Sequence, residues 1–154
     1  FDDIFKKDSV YFETNKKDEL YFLKISNYII ASKNIYKIIK KKKSKKNSVK
    51  YPKVNSENLE INGVENKILY IGKSSTGFHK RLKDHLGLSS ASTYSLQLKT
   101  WIEDKNLKKV KLELYYLPFN FASLEDGFDK NEILELIESS LHYHYRPILG
   151  RSGH

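Results

Sequence analysis

The sequence predicts a mixed α/β domain, with helices layered on one small sheet, and three observations carry that expectation. Ile68-Leu69-Tyr70-Ile71 is apolar without a break and bounded by turn residues, as in a strand buried on both faces. Val110, Leu112, Leu114 and Tyr116 alternate with Lys111, Glu113 and Tyr115, the pattern of a half-buried strand. Residues 131–145 have helical period, with Ile133, Leu134, Ile137, Leu141 and Tyr145 in one stripe. Such a mixture gives layers around a single core.

In chain order, residues 1–16 are polar and irregular. In 18–32, Leu20, Leu23, Ile25, Tyr28 and Ile29 roughly fit one helical face, so 1–33 reads as a helical N-terminal extension. A strand through 21–25 is the alternative. Residues 34–39 are β-branched and aromatic and read as a strand. A basic insertion over about 40–66 follows; 49–54 is a second strand or an extended loop, and Asn62-Gly63 is a hairpin signal.

The strand over 67–72 leads into a helix. Ser74, Ser75 and Thr76 offer its N-cap, Gly87 stops it, and Phe78, Leu82 and Leu86 line one side. A second helix is expected over 92–104 from Leu96, Leu98, Trp101 and Ile102. The strand over 110–116 and a loop through Pro118 and Gly127 precede the last helix, which Arg146-Pro147 ends. Residues 151–154 read as a tail. There is no internal repeat.

The 154 residues suit one domain with a core of its own. Without cysteine, disulfides and thiolate metal sites are excluded, and a cytoplasmic location is expected. No apolar run is long enough to span a bilayer and no secretory signal pattern occurs, so no membrane is expected as a partner. The start at Phe1 and the lack of methionine read as a fragment of a longer chain.

The net charge of +9 is concentrated. Lys37, Lys40, Lys41, Lys42, Lys43, Lys45, Lys46, Lys50 and Lys53 hold the whole excess, and the rest of the chain is balanced. Such a block suits a polyanion, because each neutralised phosphate releases condensed counterions. Its bland alternative is a solvated, solubilising loop. The lack of an accompanying amphipathic helix with bulky apolar residues disfavours a membrane surface.

Three groups of residues can carry chemistry. Glu138 sits at the edge of the apolar stripe of the last helix, four residues after Leu134 and three before Leu141. A carboxylate there calls for a divalent cation, an arginine partner, or a lean into water. Arg81 and His85 share a helix face; an arginine fork suits phosphate and a histidine can pass protons near neutrality, or both simply solubilise the helix beside Asp84. Tyr36 and Tyr70 each fall mid-strand, where core packing with the hydroxyl at the rim is the default. His142 and His144 are two apart and diverge on a helix, so they make no chelating pair. No glycine-rich phosphate loop, nucleotide fingerprint or G-x-S-x-G elbow is present.

These pieces resemble the GIY-YIG nuclease superfamily. Tyr70-Ile71-Gly72 on its strand matches the second half of the family name, and Arg81 on the following helix, with His85 one turn later, matches the next block. Glu138 with Arg146-Pro147 eight and nine residues on matches the third. For the first half, the best match is Asn34-Ile35-Tyr36, with asparagine in place of glycine; Val49-Lys50-Tyr51 is a rival, weakened as a central strand by Pro52. The chain also has Gly150 where the family usually has an asparagine, twelve residues after the glutamate. The resemblance covers about residues 34–150.

The resemblance implies a central three-stranded antiparallel or mixed sheet flanked by helices, the lysine block being an insertion in the first hairpin. It implies a magnesium-dependent endonuclease hydrolysing DNA phosphodiester bonds, with manganese as a substitute metal. Glu138 would bind the metal, Arg81 clamp a phosphate oxygen, and Tyr36 take a proton from water with Tyr70 and His85 beside it. Lys41, Lys42, Lys43, Lys45, Lys46, Lys50, Lys53 and Lys73 would meet DNA, and Asn55 and Asn58 could reach base edges. Tyr94-Ser95-Leu96 and Trp101 point toward a bacterial restriction or defence enzyme, with a homing or repair nuclease as alternatives. A homodimer or a further domain would supply double-strand cutting. The competing readings are a catalytically weakened DNA-binding module of the same fold and a protein-interaction domain with an acidic partner.

Overall fold

The computed structural model describes residues 18–25, 32–44, 49–61, 64–65, 67–75, 77–119, 121 and 127–151. The fold is mixed α/β. In chain order it runs β1 (Asp18–Ile25), α1 (Ser32–Ser44), β2 (Glu60–Ile61), β3 (Val64–Glu65), β4 (Ile68–Ser74), α2 (Phe78–Leu86), β5 (Leu112–Phe119) and α3 (Lys130–Tyr145). β1 lies between β4 and β5 and is antiparallel to both. Its register sets Leu23 opposite Tyr70 and Tyr21 opposite Gly72.

Two expectations change places here. Residues 18–25 are the middle strand of the sheet, not part of a helical extension, so the domain does not begin at residue 34. Leu20-Tyr21-Phe22-Leu23 is an unbroken apolar and aromatic run, which suits a strand with a neighbour on each edge. Residues 32–44 are a helix, not a strand. Ile35, Ile38 and Ile39 recur at helical spacing, and Ile35 and Ile39 are both fully buried. Lys41, Lys42 and Lys43 fall in the last turn of α1, where the helix dipole favours positive charge. The lysine-rich segment still lies between two paired strands, β1 and β4, but part of it is a helix.

The two-residue strands β2 and β3 pair across positions 62–63. Asn62 and Gly63 themselves lie outside the described residues, as do Lys45, Lys46, Thr76, residues 1–17 and 152–154. Residues 49–54 are extended and touch the sheet through one bridge from Val54 to Leu149.

α2 begins at Phe78 after its N-cap residue Gly77, which has φ +95°, and Ser74 ends β4. Gly87 closes the helix in the left-handed region, with φ +78°. The expected helix over 92–104 is reduced to a single 3-10 turn at Leu98–Trp101. Gln97 precedes it at φ +52°, and its side-chain amide donates to the carbonyls of Ser90 and Thr93. Serine-rich sequence and local side-chain bonds compete there with a regular helix.

Packing divides along β4. Tyr70 joins Ile35 and Ile39 of α1 with Phe78, Trp101 and Leu149 in one buried cluster. Ile71 joins Tyr115, Phe121 and Leu134 of α3 in another. Alternating side-chain directions along a strand make adjacent residues serve opposite layers. No helix among the described residues is long and apolar enough to cross a membrane.

Candidate active site

β4 and α2 bring Tyr70, Arg81 and His85 together. An Arg81 Nη2 donates to the Tyr70 hydroxyl oxygen at 3.1 Å and to the carbonyl of Tyr94 at 3.0 Å. The His85 ring meets the Tyr70 ring edge-on, with centroids 4.7 Å apart. Asp84 adds a weak ion pair to Arg81 at 3.6 Å.

His85 is buried, which excludes a merely solubilising role. Its Nδ1 accepts a hydrogen bond from the backbone N–H of Leu96 at 3.2 Å, so Nδ1 carries no proton. Burial, helped by the Arg81 charge, pushes its pKa down to about 3. This corrects the expectation of a histidine that passes protons near neutrality: His85 is held neutral, with its proton on Nε2.

The segment after α2 is part of the same device. Ser95 Oγ donates to the carbonyl of Asp84, and Trp101 Nε1 to that of Leu96. Tyr94-Ser95-Leu96 therefore clasps the face of α2 that carries Arg81 and His85.

α3 supplies the carboxylate. Its buried line is Leu134, Glu138 and His142, at four-residue spacing, and this line passes through the edge of the predicted stripe. Glu138 is 7 % exposed, which rules out a carboxylate leaning into water. Burial pushes its pKa up to about 7, with the charge of Glu135 pushing the same way. The charge and backbone N–H of Lys73, and the charge of Arg81, oppose that rise. Glu138 thus feels the Arg81 charge, although Leu134 of α3 packs with Ile71 in the layer opposite the Tyr70 cluster. Lys73 Nζ itself pairs with Glu135 at 2.6 Å.

A divalent cation with oxygen ligands fits Glu138, because a buried carboxylate of raised pKa gains most from added positive charge. Among the described residues, no three His, Asp or Glu side chains form a ligand cluster. The cation would then be held by Glu138 with water and substrate oxygens, as magnesium tolerates and structural zinc does not.

His142 was not predicted. It is buried one turn after Glu138, and its Nε2 lies 3.3 Å from the carbonyl of Ile71. Burial lowers its pKa, while that carbonyl raises it. The signal in the sequence was the four-residue step from Glu138. Gly150 closes the same corner at φ +111°; a Cβ there would stand 3.1 Å from the Tyr70 ring and 3.5 Å from His142.

Asn55 and Asn58 do not face outward to read bases. Both are buried, and Asn55 Nδ2 donates to the carbonyls of Pro147 and Gly150 at 3.1 and 3.0 Å. Asn58 Nδ2 donates to Pro147 at 3.0 Å. They brace the turn that carries Gly150 against Tyr70.

Tyr36 is not part of this cluster. It lies on α1, where hydrogen bonds with Lys40 and Ser56 hold its phenol below its ordinary range. The strand beside Tyr70 is β1, and there Tyr21 is in register with Gly72. Of the predicted DNA-facing lysines, Lys41, Lys43, Lys50 and Lys53 are exposed and Lys42 is half-buried. Lys42 and Lys43 bond to the carbonyls of Thr100 and Pro52, and Lys50 lies over the Tyr94 ring. Compared with known proteins, the chain matches no family model, no curated protein and no solved structure.

Proposed function

We propose that this chain is a magnesium-dependent endonuclease of the GIY-YIG type that hydrolyses DNA phosphodiester bonds, in a bacterial restriction or defence role. The observation that carries this reading is the convergence of Tyr70, Arg81 and a buried Glu138, through the 3.1 Å bond and the Arg81 charge acting on Glu138. Glu138, far along the chain from the neighbouring Tyr70 and Arg81 blocks, supports the reading through the Arg81 charge that acts on it.

In this reading Arg81 is a phosphate clamp, its fork reaching non-bridging oxygens as charge builds up in the transition state. It also orients the Tyr70 hydroxyl, which can then exchange a proton with the attacking water. His85 keeps the Tyr70 ring in place and adds no charge. Bound at Glu138, magnesium would stabilise negative charge on the phosphate and the leaving oxygen. Tyr21 replaces Tyr36 as the candidate for the tyrosine of the first half-motif, on the backbone register of β1.

A DNA-binding module without catalysis is the second reading, favoured by Gly150 where the resemblance implies asparagine. Incubation of the purified protein with supercoiled plasmid and magnesium separates the two, beside Glu138→Ala and Arg81→Ala. Cleavage by the wild type alone is the expected result. Binding without any nicking, in magnesium or manganese, would leave only the module.

A further inference from the structure

A cleft of ≈ 600 Å³ lies along the C-terminal end of α3, between that helix and segment 53–58, which ends in a 3-10 turn at Ser56–Asn58. Its charge is one-sided. Lys53, Arg146 and Arg151 line it, with Glu57 the one acidic side chain among the described lining residues. Lys43 stands close enough to Arg151 for the two charges to repel. His142 and Tyr143 are its other titratable linings; His142 is buried with a lowered pKa, and Tyr143 is 77 % exposed.

The cleft adjoins the candidate active site through a thin wall. His142 and Gly150 line it, and Gly150 is the residue whose added Cβ would meet Tyr70 at 3.1 Å. Arg146 is held at its mouth by an unusual backbone. It caps α3 at φ +48°, its N–H bonding to the carbonyl of His142, and its guanidinium lies 5.2 Å from the Tyr143 ring centroid. A left-handed conformation is unfavourable for a non-glycine residue, and here it presents a cation and an exposed aromatic ring side by side. Such pairs suit a polynucleotide strand, the cation meeting phosphate and the ring meeting a base or sugar.

We infer that this cleft is a second phosphate-binding subsite, which holds the DNA strand flanking the scissile bond through Lys53, Arg146 and Arg151 with Tyr143 as a stacking surface. This rests on the nuclease reading for its orientation but not for its chemistry, because the cleft would grip DNA whether or not the bond is cut. It also moves much of the DNA contact away from the lysines of α1, two of which are engaged with backbone carbonyls.

The test is equilibrium binding of a fluorescent duplex in EDTA across a salt series, for the wild type, Arg151→Ala, Arg146→Gln and the pair, with Lys41→Ala as the comparison. Each cleft substitution is expected to weaken binding several-fold and lower the log–log salt slope by about 1. In magnesium, Arg151→Ala and the pair should raise the KM for DNA cleavage more than they lower kcat. Arg151→Ala leaves the α3 cap intact, so it decides the matter if Arg146→Gln loses stability. Wild-type affinity and slope in Arg151→Ala and the pair, with loss only in Lys41→Ala, would overturn the inference. Tight, cleft-dependent binding by a protein that cuts nothing would support the subsite and defeat the nuclease reading instead.

Discussion

Arg81 donates to the hydroxyl oxygen of Tyr70 at 3.1 Å while its charge also reaches Glu138 and His85, so one guanidinium links β4, α2 and α3. Removing the fork but keeping the charge separates its two roles. Arg81→Lys is expected to cut the plasmid 10²–10³-fold more slowly, the usual loss for one transition-state donor. Retention of most of the wild-type rate, read from nicking time courses under single turnover, would mean that the fork does not clamp the phosphate.

Glu138, with its pKa pushed up to about 7, makes a sharper prediction about stability. The folded state holds this proton more tightly than the unfolded chain, whose carboxyl titrates near 4.5. Its contribution is therefore neutral at low pH and becomes unfavourable as pH rises from 4.5 to 7, reaching at most about 3 kcal/mol. In EDTA, Glu138→Gln is expected to melt above the wild type at pH 8 and level with it at pH 4.5. Magnesium should raise the melting point of the wild type at pH 8 and leave Glu138→Gln unmoved.

His85 acts in the opposite direction. Its folded pKa lies below the unfolded value of 6.5, so the stability it contributes is present above 6.5 and is lost as pH falls toward 3. At pH 5 the loss is about 2 kcal/mol. His85→Asn keeps an acceptor for the Leu96 N–H and cannot titrate. Its denaturant midpoint is expected to fall less between pH 7 and pH 5 than that of the wild type. An imidazole proton resonance of His85 that titrates near pH 6.5 would contradict this.

The turn beside Tyr70 is predicted to be sensitive out of proportion to its size. Gly150→Ala places a Cβ 3.1 Å from the ring at φ +111°. The cost is expected to be about 1–3 kcal/mol. Asn55→Ala strips the Gly150 carbonyl of its Asn55 donor, at about 1–3 kcal/mol for a group left unsatisfied, while Pro147 keeps the bond from Asn58. Both should also slow cleavage through kcat more than through KM, because the displaced group is Tyr70. Urea melts and steady-state kinetics check the two halves.

Tyrosine-to-phenylalanine changes test the reassignment on β1. Tyr36→Phe is expected to leave cleavage within about twofold of the wild type and stability within about 0.5 kcal/mol, the usual range for a surface change away from special features. Tyr70→Phe and Tyr21→Phe are expected to slow cleavage at least about tenfold, the low end of the loss for a proton-transfer group being about 10²-fold. A silent Tyr21→Phe would leave Tyr70 alone as the hydroxyl of the site.

Much of this arrangement is legible in the amino-acid order. The strand at Tyr70, the left-handed stop at Gly87, the strand after Val110 and the last helix follow from local patterns, since side-chain periodicity and backbone preference act over a few residues. The four-residue step from Arg81 to His85 likewise puts them on one face of α2 without any tertiary information. Packing decided the rest. Residues 20–25 fit a helical face or a strand, and residues 34–39 are β-branched and aromatic yet also place isoleucines at helical spacing, so local pattern left strand and helix close in energy. Pairing of β1 with two neighbours at once settled one, and burial of Ile35 with Ile39 the other. The neutral His85, the proton-retaining Glu138 and the bracing Asn55 depend on desolvation and on partners far away in the chain, and no reading of nearest neighbours contains either.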